Sequence, residues 1–254
     1  MAISIKSKEA IELMRQAGRA ASAAREAAGA AVAVGVTTAE IDAVVRVTLK
    51  QYDAEPSFLN HHGFPAAVCV SINEEVIHGI PSKKRVIRAG DLVKIDVGAR
   101  IHGYNGDTAM TVFAGEIPES VQKLVDVTRQ SFFEGLQCCV PGKRISDISR
   151  AVQTYAEANG FSVVKAFTGH GIGTGLWEDP SVPNYVEKRG GSDYSNPRLV
   201  PGMTICIEPM LNMGTHSVKT LGDKWTVVTI DKKLSAHYEH TVLITNGEPE
   251  LLTK

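Results

Sequence analysis

The stretch Leu92-Val93-Lys94-Ile95-Asp96-Val97 is typical of a strand in a buried sheet, except that it carries a carboxylate. Side chains of a strand alternate between its two faces, so Asp96 lies out of phase with Val93, Ile95 and Val97 and points away from one apolar layer. A buried carboxylate is costly unless a partner or a cation compensates its charge. The stretch therefore predicts a sheet with a charged site on one face.

Four other ionisable side chains interrupt apolar or glycine-rich chain in a similar way. They are Asp107 in Gly106-Asp107-Thr108, His170 in Gly169-His170-Gly171-Ile172-Gly173, Glu208 in Ile205-Cys206-Ile207-Glu208-Pro209 and Glu239 in Tyr238-Glu239-His240-Thr241-Val242. With Asp96 they make four carboxylates and one imidazole, which suit two divalent cations because the charges balance. The oxygen-rich set favours Mn, Fe, Co or Zn. Two such ions about 3.5–4 Å apart lower the pKa of a shared water and polarise a carbonyl, so the set indicates a hydrolytic metalloenzyme.

Each of the five residues also has an interpretation without metal. The alternatives are an ion pair with Lys94 for Asp96, a turn position for Asp107, a loop position with satisfied hydrogen bonds for His170, a strand end for Glu208 and a surface pair with His240 for Glu239. All five alternatives would have to hold at once, so the shared metal site is favoured.

Hydrophobic spacing predicts four helices and a strand-rich remainder. Apolar residues at helical spacing, with turn signals at Gly35 and Pro141-Gly142, place helices at residues 8–33, 39–52, 119–139 and 148–158. Short apolar and β-branched runs predict strands at 66–72, 93–97, 109–114, 162–167, 204–209, 225–229 and 239–245.

Matched signals recur in the same order in two halves of the chain. Gly35 precedes Ile41 as Gly142 precedes Ile148, and later pairs are His78-Gly79-Ile80 with His170-Gly171-Ile172, Asp96 with Glu208, and Asp107 with Glu239. Each half supplies two carboxylates and one histidine. We therefore expect one α/β domain over residues 1–254, with pseudo-repeat halves at approximately 8–115 and 117–250 and the site between them.

Overall composition excludes several classes of protein. The chain has 254 residues, of which 43% are hydrophobic and 22% charged, and its formal net charge is −1. This charge gives no reason to expect a specific nucleic acid or a membrane as partner. Charged residues interrupt both the N-terminus and the alanine-rich run 20–36, which argues against a secretory signal and a membrane span. Four cysteines without CxxC spacing are typical of reduced thiols in a cytoplasmic protein.

These motifs resemble those of the type I methionine aminopeptidases, metallopeptidases of the pita-bread fold. The resemblance runs almost end to end, and its most specific segments are Ser71-Ile-Asn-Glu-Glu-Val-Ile-His-Gly-Ile-Pro81, Gly106-Asp-Thr108, Gly169-His-Gly-Ile-Gly173, Pro201-Gly-Met-Thr204, Ile207-Glu-Pro-Met210 and Tyr238-Glu-His240. It implies an antiparallel, pseudo-two-fold sheet with two helix pairs on its outer face and a dinuclear metal site between the halves. It also implies removal of the initiator methionine from nascent proteins by a cytoplasmic monomer in transient contact with the ribosome.

The resemblance also implies a role for individual residues. The expected metal ligands are Asp96, Asp107, His170, Glu208 and Glu239, with Asp107 and Glu239 bridging. Glu208 is further expected to shuttle a proton, and His78 to contact the scissile peptide nitrogen. The methionine side chain is expected against Phe58, His61, Phe64, Cys69 and Trp225, of which the sulfur and aromatic groups suit a thioether. Asn73 and Ser235 correspond to positions that hold a monovalent cation through backbone carbonyls.

One expected substrate contact departs from the family pattern. The family carries a histidine seven residues after the ligand histidine, where it contacts the substrate carbonyl, and this chain has Trp177 there. Losing one donor to a developing oxyanion typically costs about 2.7–4 kcal/mol, roughly 10²–10³ in rate. Either the enzyme is slow, or the indole N–H substitutes, or another group does. His61 departs too, since the family commonly has an aromatic residue there.

His237 is one candidate for the missing donor, because it lies two residues before Glu239 and would share its face in a regular strand. The alternative is a histidine that caps the strand end in solvent. Two other functions stay open: a divergent paralogue with slow or altered N-terminal specificity, and a binding protein that kept the fold and lost catalysis. Retention of all five ligands and His78 argues against the binding protein.

Overall fold

In the part of the chain that the structure describes, four α-helices form two pairs, as the apolar spacing predicts. The computed structural model describes residues 3–186 and 196–254, and its helices are α1 (Lys8–Ala30), α2 (Thr38–Gln51), α3 (Glu119–Leu136) and α4 (Ile145–Ala158). The Ser7 hydroxyl accepts the N–H of Ala10 where α1 begins, and Thr37 and Glu40 form a reciprocal capping box where α2 begins. The helix ends differ by at most three residues from those predicted.

Most of the strands belong to one large antiparallel sheet. In chain order they are β1 (Glu55–Pro56), β2 (Cys69–Ile72), β3 (Glu75–Ile77), β4 (Leu92–Ile101), β5 (Tyr104–Phe113), β6 (Ser162–Val163), β7 (Gly169–Gly171), β8 (Glu178–Val182), β9 (Thr204–Ile207), β10 (Met210–Asn212), β11 (Val218–Thr220), β12 (Val227–Thr229), β13 (Ser235–His237), β14 (Glu239–Leu243) and β15 (Glu250–Leu251). The nine-stranded sheet has the order β1-β4-β5-β14-β9-β7-β8, with β2 paired to β4 and β15 to β14. Two three-stranded sheets have the orders β13-β10-β6 and β11-β12-β3.

Several strand boundaries differ from those expected. The strand predicted at 66–72 begins only at Cys69, because the backbone N–H of Ala67 donates to the Asp42 carboxylate at 2.7 Å and not to a neighbouring strand. The strand predicted at 162–167 ends at Val163. In contrast, β4 and β5 are longer than predicted and pair along their whole length around a left-handed turn at His102-Gly103.

The two expected halves meet in the middle of the nine-stranded sheet. The hairpin β4–β5 belongs to the first half, and the second half contributes the antiparallel pair β9–β14. Strands β5 and β14 join the halves, with Glu239 opposite Ala109 and His240 opposite Thr108. This is the antiparallel pita-bread architecture with two helix pairs that the motifs imply.

Small residues let helix α1 approach the sheet closely. Its buried apolar stripe is largely alanine, with Ala17, Ala20, Ala21, Ala24 and Ala28 fully buried. A Cβ added to Gly106 of β5 would lie only 2.7 Å from the backbone nitrogen of Gly18. The alanine-rich run is therefore a tightly packed helix, and no helix in the described ranges is long and apolar enough to span a membrane.

Candidate metal centre

Five adjacent strands bring the five predicted metal ligands together. The strands are neighbours in the order β4-β5-β14-β9-β7. Asp96 lies on β4, Asp107 on β5, Glu239 at the start of β14, Glu208 directly after β9, and His170 on β7. Each strand of this block thus contributes one of the five side chains.

Strand register places the carboxylates on one face of the sheet. Ala109 of β5 lies opposite both Asp96 and Glu239, so those two carboxylates flank a small side chain. Asp107 is two residues from Ala109 and shares its face. The exposed fractions of Asp107 and Glu239 are 3% and 2%, so the turn and surface interpretations of these two residues are wrong.

His170 turns one ring nitrogen toward the carboxylates. Its Nδ1 lies 2.8 Å from the backbone oxygen of Gly171, to which a protonated Nδ1 donates. Its Nε2 lies 3.6 Å from Glu208 Oε1 and 3.9 Å from Asp107 Oδ2. In this tautomer Nε2 carries a lone pair, which is the form that binds a metal ion.

Burial and mutual repulsion dominate the electrostatics of the cluster. Burial raises the pKa of Asp107 to about 7. Burial, followed by the charge of Asp107, raises the pKa values of Glu208 and Glu239 well above the usual carboxyl range, and Asp96 behaves in the same way. Burial lowers the pKa of His170 to about 4, so this imidazole is neutral at pH 7. Without a cation, ionising this set is therefore unfavourable.

One cavity is lined by every residue to which we assigned metal binding, catalysis or methionine recognition. Its lining comprises Phe58, His61, Phe64, Cys69, His78, Asp96, Asp107, His170, Trp177, Glu208, Trp225 and Glu239. These side chains come from both halves of the chain, and only the folded structure makes them neighbours.

Comparison with known proteins assigns the chain to a family. Residues 12–246 match the model of metallopeptidase family M24. The chain belongs to metallopeptidase family M24. It is 49% identical to the methionine aminopeptidase of Clostridium acetobutylicum over 99% of this chain and 98% of that one. It is 45% identical to methionine aminopeptidase 1 of Bacillus subtilis over 98% of each chain. The crystal structure of the methionine aminopeptidase of Thermotoga maritima superposes with a TM-score of 0.95, at 40% identity and full coverage of both chains.

Membership of the M24 metallopeptidases implies divalent metal ions, and the cluster fits them. Buried carboxylate oxygens of Asp96, Asp107 and Glu239 have no hydrogen-bond partner among the described residues. Unpaired buried oxygens of this kind are unfavourable unless a cation accepts them as ligands. Donor atoms of Asp107, His170, Cys206 and Glu239 all lie within 4.8 Å of one another.

Cys206 is the member of this cluster that the sequence-based ligand set did not include. It lies two residues before Glu208 on β9, so its side chain shares the face of that carboxylate, and this spacing was the available signal. Burial raises the pKa of its thiol well above the usual range, and its sulfur lies 3.6 Å from the Thr241 hydroxyl. The thiol is thus protonated at neutral pH and is a poorer ligand than its neighbours.

His78 lies in the cavity wall of this M24 chain in an uncommon conformation. Its φ of 59° is left-handed, which few non-glycine residues adopt. The turn is held where Gly79 exchanges hydrogen bonds with β2, accepting from the Val70 N–H at 2.9 Å and donating to the Ser71 hydroxyl at 3.0 Å. Burial lowers the pKa of His78 to about 4, so its ring is neutral.

His61 and Trp177, the two residues that differ from the family pattern, contact each other at the cavity. Their ring centroids lie 4.7 Å apart in an edge-to-face arrangement, and Trp177 also stacks on His62 at 5.7 Å. Trp177 is 47% exposed and lies 6.5 Å from the ring of His170. Phe64 packs edge-to-face on Trp225 at 5.1 Å, which forms an aromatic wall of the cavity.

His237 is buried, which corrects one of its two interpretations. Its exposed fraction is 1%, so it does not cap a strand end in solvent. Its Nε2 lies 3.9 Å from Glu239 Oε2, but its ring lines a different cavity, together with Arg25 and Arg129. His237 therefore touches the cluster from the side of helices α1 and α3.

The backbone carbonyl of Asn73, one of the two expected to hold a monovalent cation, has other partners. The buried ammonium of Lys94 donates to the backbone carbonyl of Asn73 at 2.7 Å, and the backbone N–H of Ser235 donates to the same oxygen at 3.2 Å. The carbonyl oxygen of Asn73 thus already accepts two hydrogen bonds, which occupy both of its lone pairs. Asn73 therefore does not fit the expected cation in this arrangement, and the expectation for the Ser235 carbonyl stays a prediction.

Proposed function

We propose that this chain is a methionine aminopeptidase that removes the initiator methionine from nascent proteins. The observation that carries the proposal is the single cavity in which an oxygen-rich metal cluster adjoins an apolar, sulfur- and aromatic-lined wall. The relatives that match nearly the whole chain are named methionine aminopeptidases, which supports the proposal. We further propose that the chain acts as one catalytic domain, as a monomer in the cytoplasm, with transient contact to the ribosome.

In this proposal two divalent ions bind to the five residues Asp96, Asp107, His170, Glu208 and Glu239. Four carboxylate charges balance two divalent cations, and Mn, Fe, Co and Zn accept this donor set. When bound, such ions lower the pKa of water and polarise a carbonyl. Asp107 and Glu239, on the paired strands β5 and β14, would hold the ions from the middle of this set.

Two residues of the chain have proposed roles in proton transfer and positioning. Glu208 accepts a proton from the attacking water and passes it to the leaving amine, as a general base and then a general acid. His78 contacts the scissile peptide nitrogen from the cavity wall. The rigid left-handed turn at His78 keeps its neutral ring in place.

The methionine side chain is proposed to lie against Phe58, Phe64, Cys69 and Trp225. Cys69 is fully buried with a thiol pKa raised by burial, so it presents neutral sulfur. Aromatic rings and sulfur make favourable contacts with a thioether. An apolar wall of this kind favours a hydrophobic first residue over a charged one.

The decisive experiment is release of free methionine from a Met-Ala-Ser peptide. Metal-free protein is assayed after addition of Mn, Fe, Co or Zn, with an Ala-Ala-Ser peptide as the control substrate and His170→Ala as the control variant. We expect metal-dependent release from the methionyl peptide only. Absence of release with every metal, at full metal occupancy, would contradict the proposal and favour a binding protein of the same fold.

The presence of Trp177 favours a second candidate function with the same chemistry. This is an aminopeptidase that is slow on methionine or that prefers another N-terminal residue. A peptide series that varies the first residue distinguishes the two. Faster release of another first residue than of methionine would establish the altered specificity.

A further inference from the structure

The amino group of Lys94 is buried where three sheets meet. The residue is 1% exposed, and its Nζ donates to the backbone carbonyl of Asn73 at 2.7 Å. With a left-handed φ of 57°, Asn73 turns the chain from β2 of the nine-stranded sheet to β3 of the sheet β11-β12-β3. The same carbonyl accepts the N–H of Ser235, on β13 of the third sheet, at 3.2 Å. Lys94 thus holds, from β4, one oxygen that joins strands of all three sheets.

Burying an amino group is costly, so fold stability alone does not account for Lys94. Removal from water is unfavourable enough to lower the pKa of Lys94 to about 7. A methionine of similar length would fill the same space without that cost. The nearby carboxylate of Glu75 has Arg85 as a partner at 3.3 Å and does not depend on Lys94 for one.

A second contact docks the same strand β13 on the hairpin β4–β5. Thr111 of β5 lies directly opposite Lys94 in the register of the hairpin. Its hydroxyl donates to the backbone carbonyl of His237 at 2.8 Å and accepts the backbone N–H of His237 at 2.9 Å. Both ends of β13, Ser235 and His237, are therefore tied to one level of the hairpin.

Two of the proposed metal ligands lie where the chain passes between sheets. Glu208 lies between β9 of the nine-stranded sheet and β10 of the sheet β13-β10-β6. One residue, Tyr238, separates β13 from β14, which begins with Glu239. Because both carboxylates lie at this bend, the angle between the two sheets sets where they point. Asp96 and Asp107 face them from the hairpin itself.

We propose that Lys94 is a positioning residue of the metal centre, which holds the sheet β13-β10-β6 at the angle that brings Glu208 and Glu239 to the carboxylates of the hairpin. It acts through the carbonyl of Asn73 and the N–H of Ser235, not by contact with a metal ion. This inference rests on the proposed ligand set. Residues that orient metal ligands typically contribute about 10–100-fold to metal affinity or activity.

The test compares Lys94→Met, which fills the space without a donor, with Lys94→Gln, which keeps an N–H donor on a shorter chain. We expect the Kd of Mn²⁺, measured by calorimetric titration of metal-free protein, to rise by about 10–100-fold in Lys94→Met. Lys94→Gln should recover part of this loss. Lys219→Met, which replaces an exposed lysine on β11, is the control with unchanged Kd.

Two further measurements separate positioning from a merely structural role. The Tm of metal-free Lys94→Met should equal or exceed that of the wild type, because the variant no longer buries an amino group. Amide hydrogen exchange at Ser235 and His237 should become roughly tenfold faster, while the amides within the hairpin β4–β5 keep their rates.

An unchanged Kd of Mn²⁺ in Lys94→Met would overturn the proposal. A lower Tm, a failure to fold, or faster exchange throughout the chain would also overturn it, since each would show that Lys94 supports the fold as a whole. Metal binding is measured without substrate, so the test does not depend on catalysis. A wild-type protein that binds Mn²⁺ but releases no methionine would contradict the proposed function alone, whereas one that binds no Mn²⁺ would contradict both.

Discussion

Divalent metal is expected to stabilise this protein more strongly as pH rises from 6.5 to 8. In the metal-free protein, burial and like-charged neighbours raise the pKa values of Asp96, Glu208 and Glu239 well above the usual carboxyl range. We therefore expect the folded metal-free chain to retain more protons on this cluster than the unfolded chain, whose carboxyls have pKa near 4. The folded metal-free state then binds more protons than the unfolded state, so its stability falls as pH rises.

The size of the effect follows from the number of protons retained. Each retained proton changes the free energy of unfolding by about 1.4 kcal/mol per pH unit. Metal binding ionises the carboxyl groups, so the stabilisation by metal grows by that amount for each proton displaced. In a chain of 254 residues, about 1.4 kcal/mol corresponds to roughly 3–6 °C in Tm. One displaced proton thus adds about 3–6 °C per pH unit to the Tm difference between metal-loaded and metal-free protein.

The assay is calorimetry of dialysed protein with and without a fixed free concentration of Mn²⁺, at half-unit steps from pH 6.5 to 8. Lys94, whose pKa burial lowers to about 7, titrates in the same window but is present in both arms, so the difference isolates the ligand cluster. Proton release on Mn²⁺ binding, counted by titration in two buffers, checks the number independently. Glu208→Gln should lower by one the number of protons released on Mn²⁺ binding, and should lower the pH dependence of the stabilisation accordingly. The reasoning would be refuted if the Tm difference between Mn²⁺-loaded and metal-free protein stayed constant with pH and no protons were released on binding.

The remaining predictions concern single residues. Glu208→Gln should lower kcat by about 10²–10⁴-fold while peptide still binds; near-normal kcat at unchanged metal content would remove the proton-shuttle role. His78→Ala should cut kcat/KM at unchanged metal content, measured by elemental analysis, and loss of metal would make His78 a ligand instead. Trp177→His should raise kcat on a methionyl peptide, and an unchanged or lower rate in a folded variant would show that Trp177 suits a different substrate. Gly106→Ala should lower the free energy of unfolding by about 1–3 kcal/mol, because its Cβ would overlap helix α1. Gly222→Ala, with open space around the new methyl group, is the control; equal stabilities of the two variants would contradict the close packing of helix and sheet.

The chemistry of the site could be predicted from the sequence because it depends on residue types in unusual surroundings. Asp96 and Glu208 stand in apolar strand sequence, and His170 stands among glycines, so their cost without a shared cation was evident from the chain alone. The helix pairs and the hairpin of β4 and β5 could be predicted equally well, because apolar spacing and turn residues are local signals. The ends of strands were harder to predict from the sequence, because the start of β2, for example, depends on a contact between Ala67 and the distant Asp42.

Only the tertiary structure decided what each side chain faces. Sequence spacing placed His237 near Glu239 but did not distinguish solvent from a buried contact on the helix side of the sheet, which depends on how α1 and α3 pack. It also did not reveal that the Lys94 amino group on β4 donates to the backbone carbonyl of Asn73, directly after the neighbouring strand β2. The contact between the rings of His61 and Trp177, 116 positions apart in the chain, likewise depends on the fold. Local sequence determines which groups are present and how the chain turns, whereas burial and partnership are properties of contacts between distant segments, which require the complete fold.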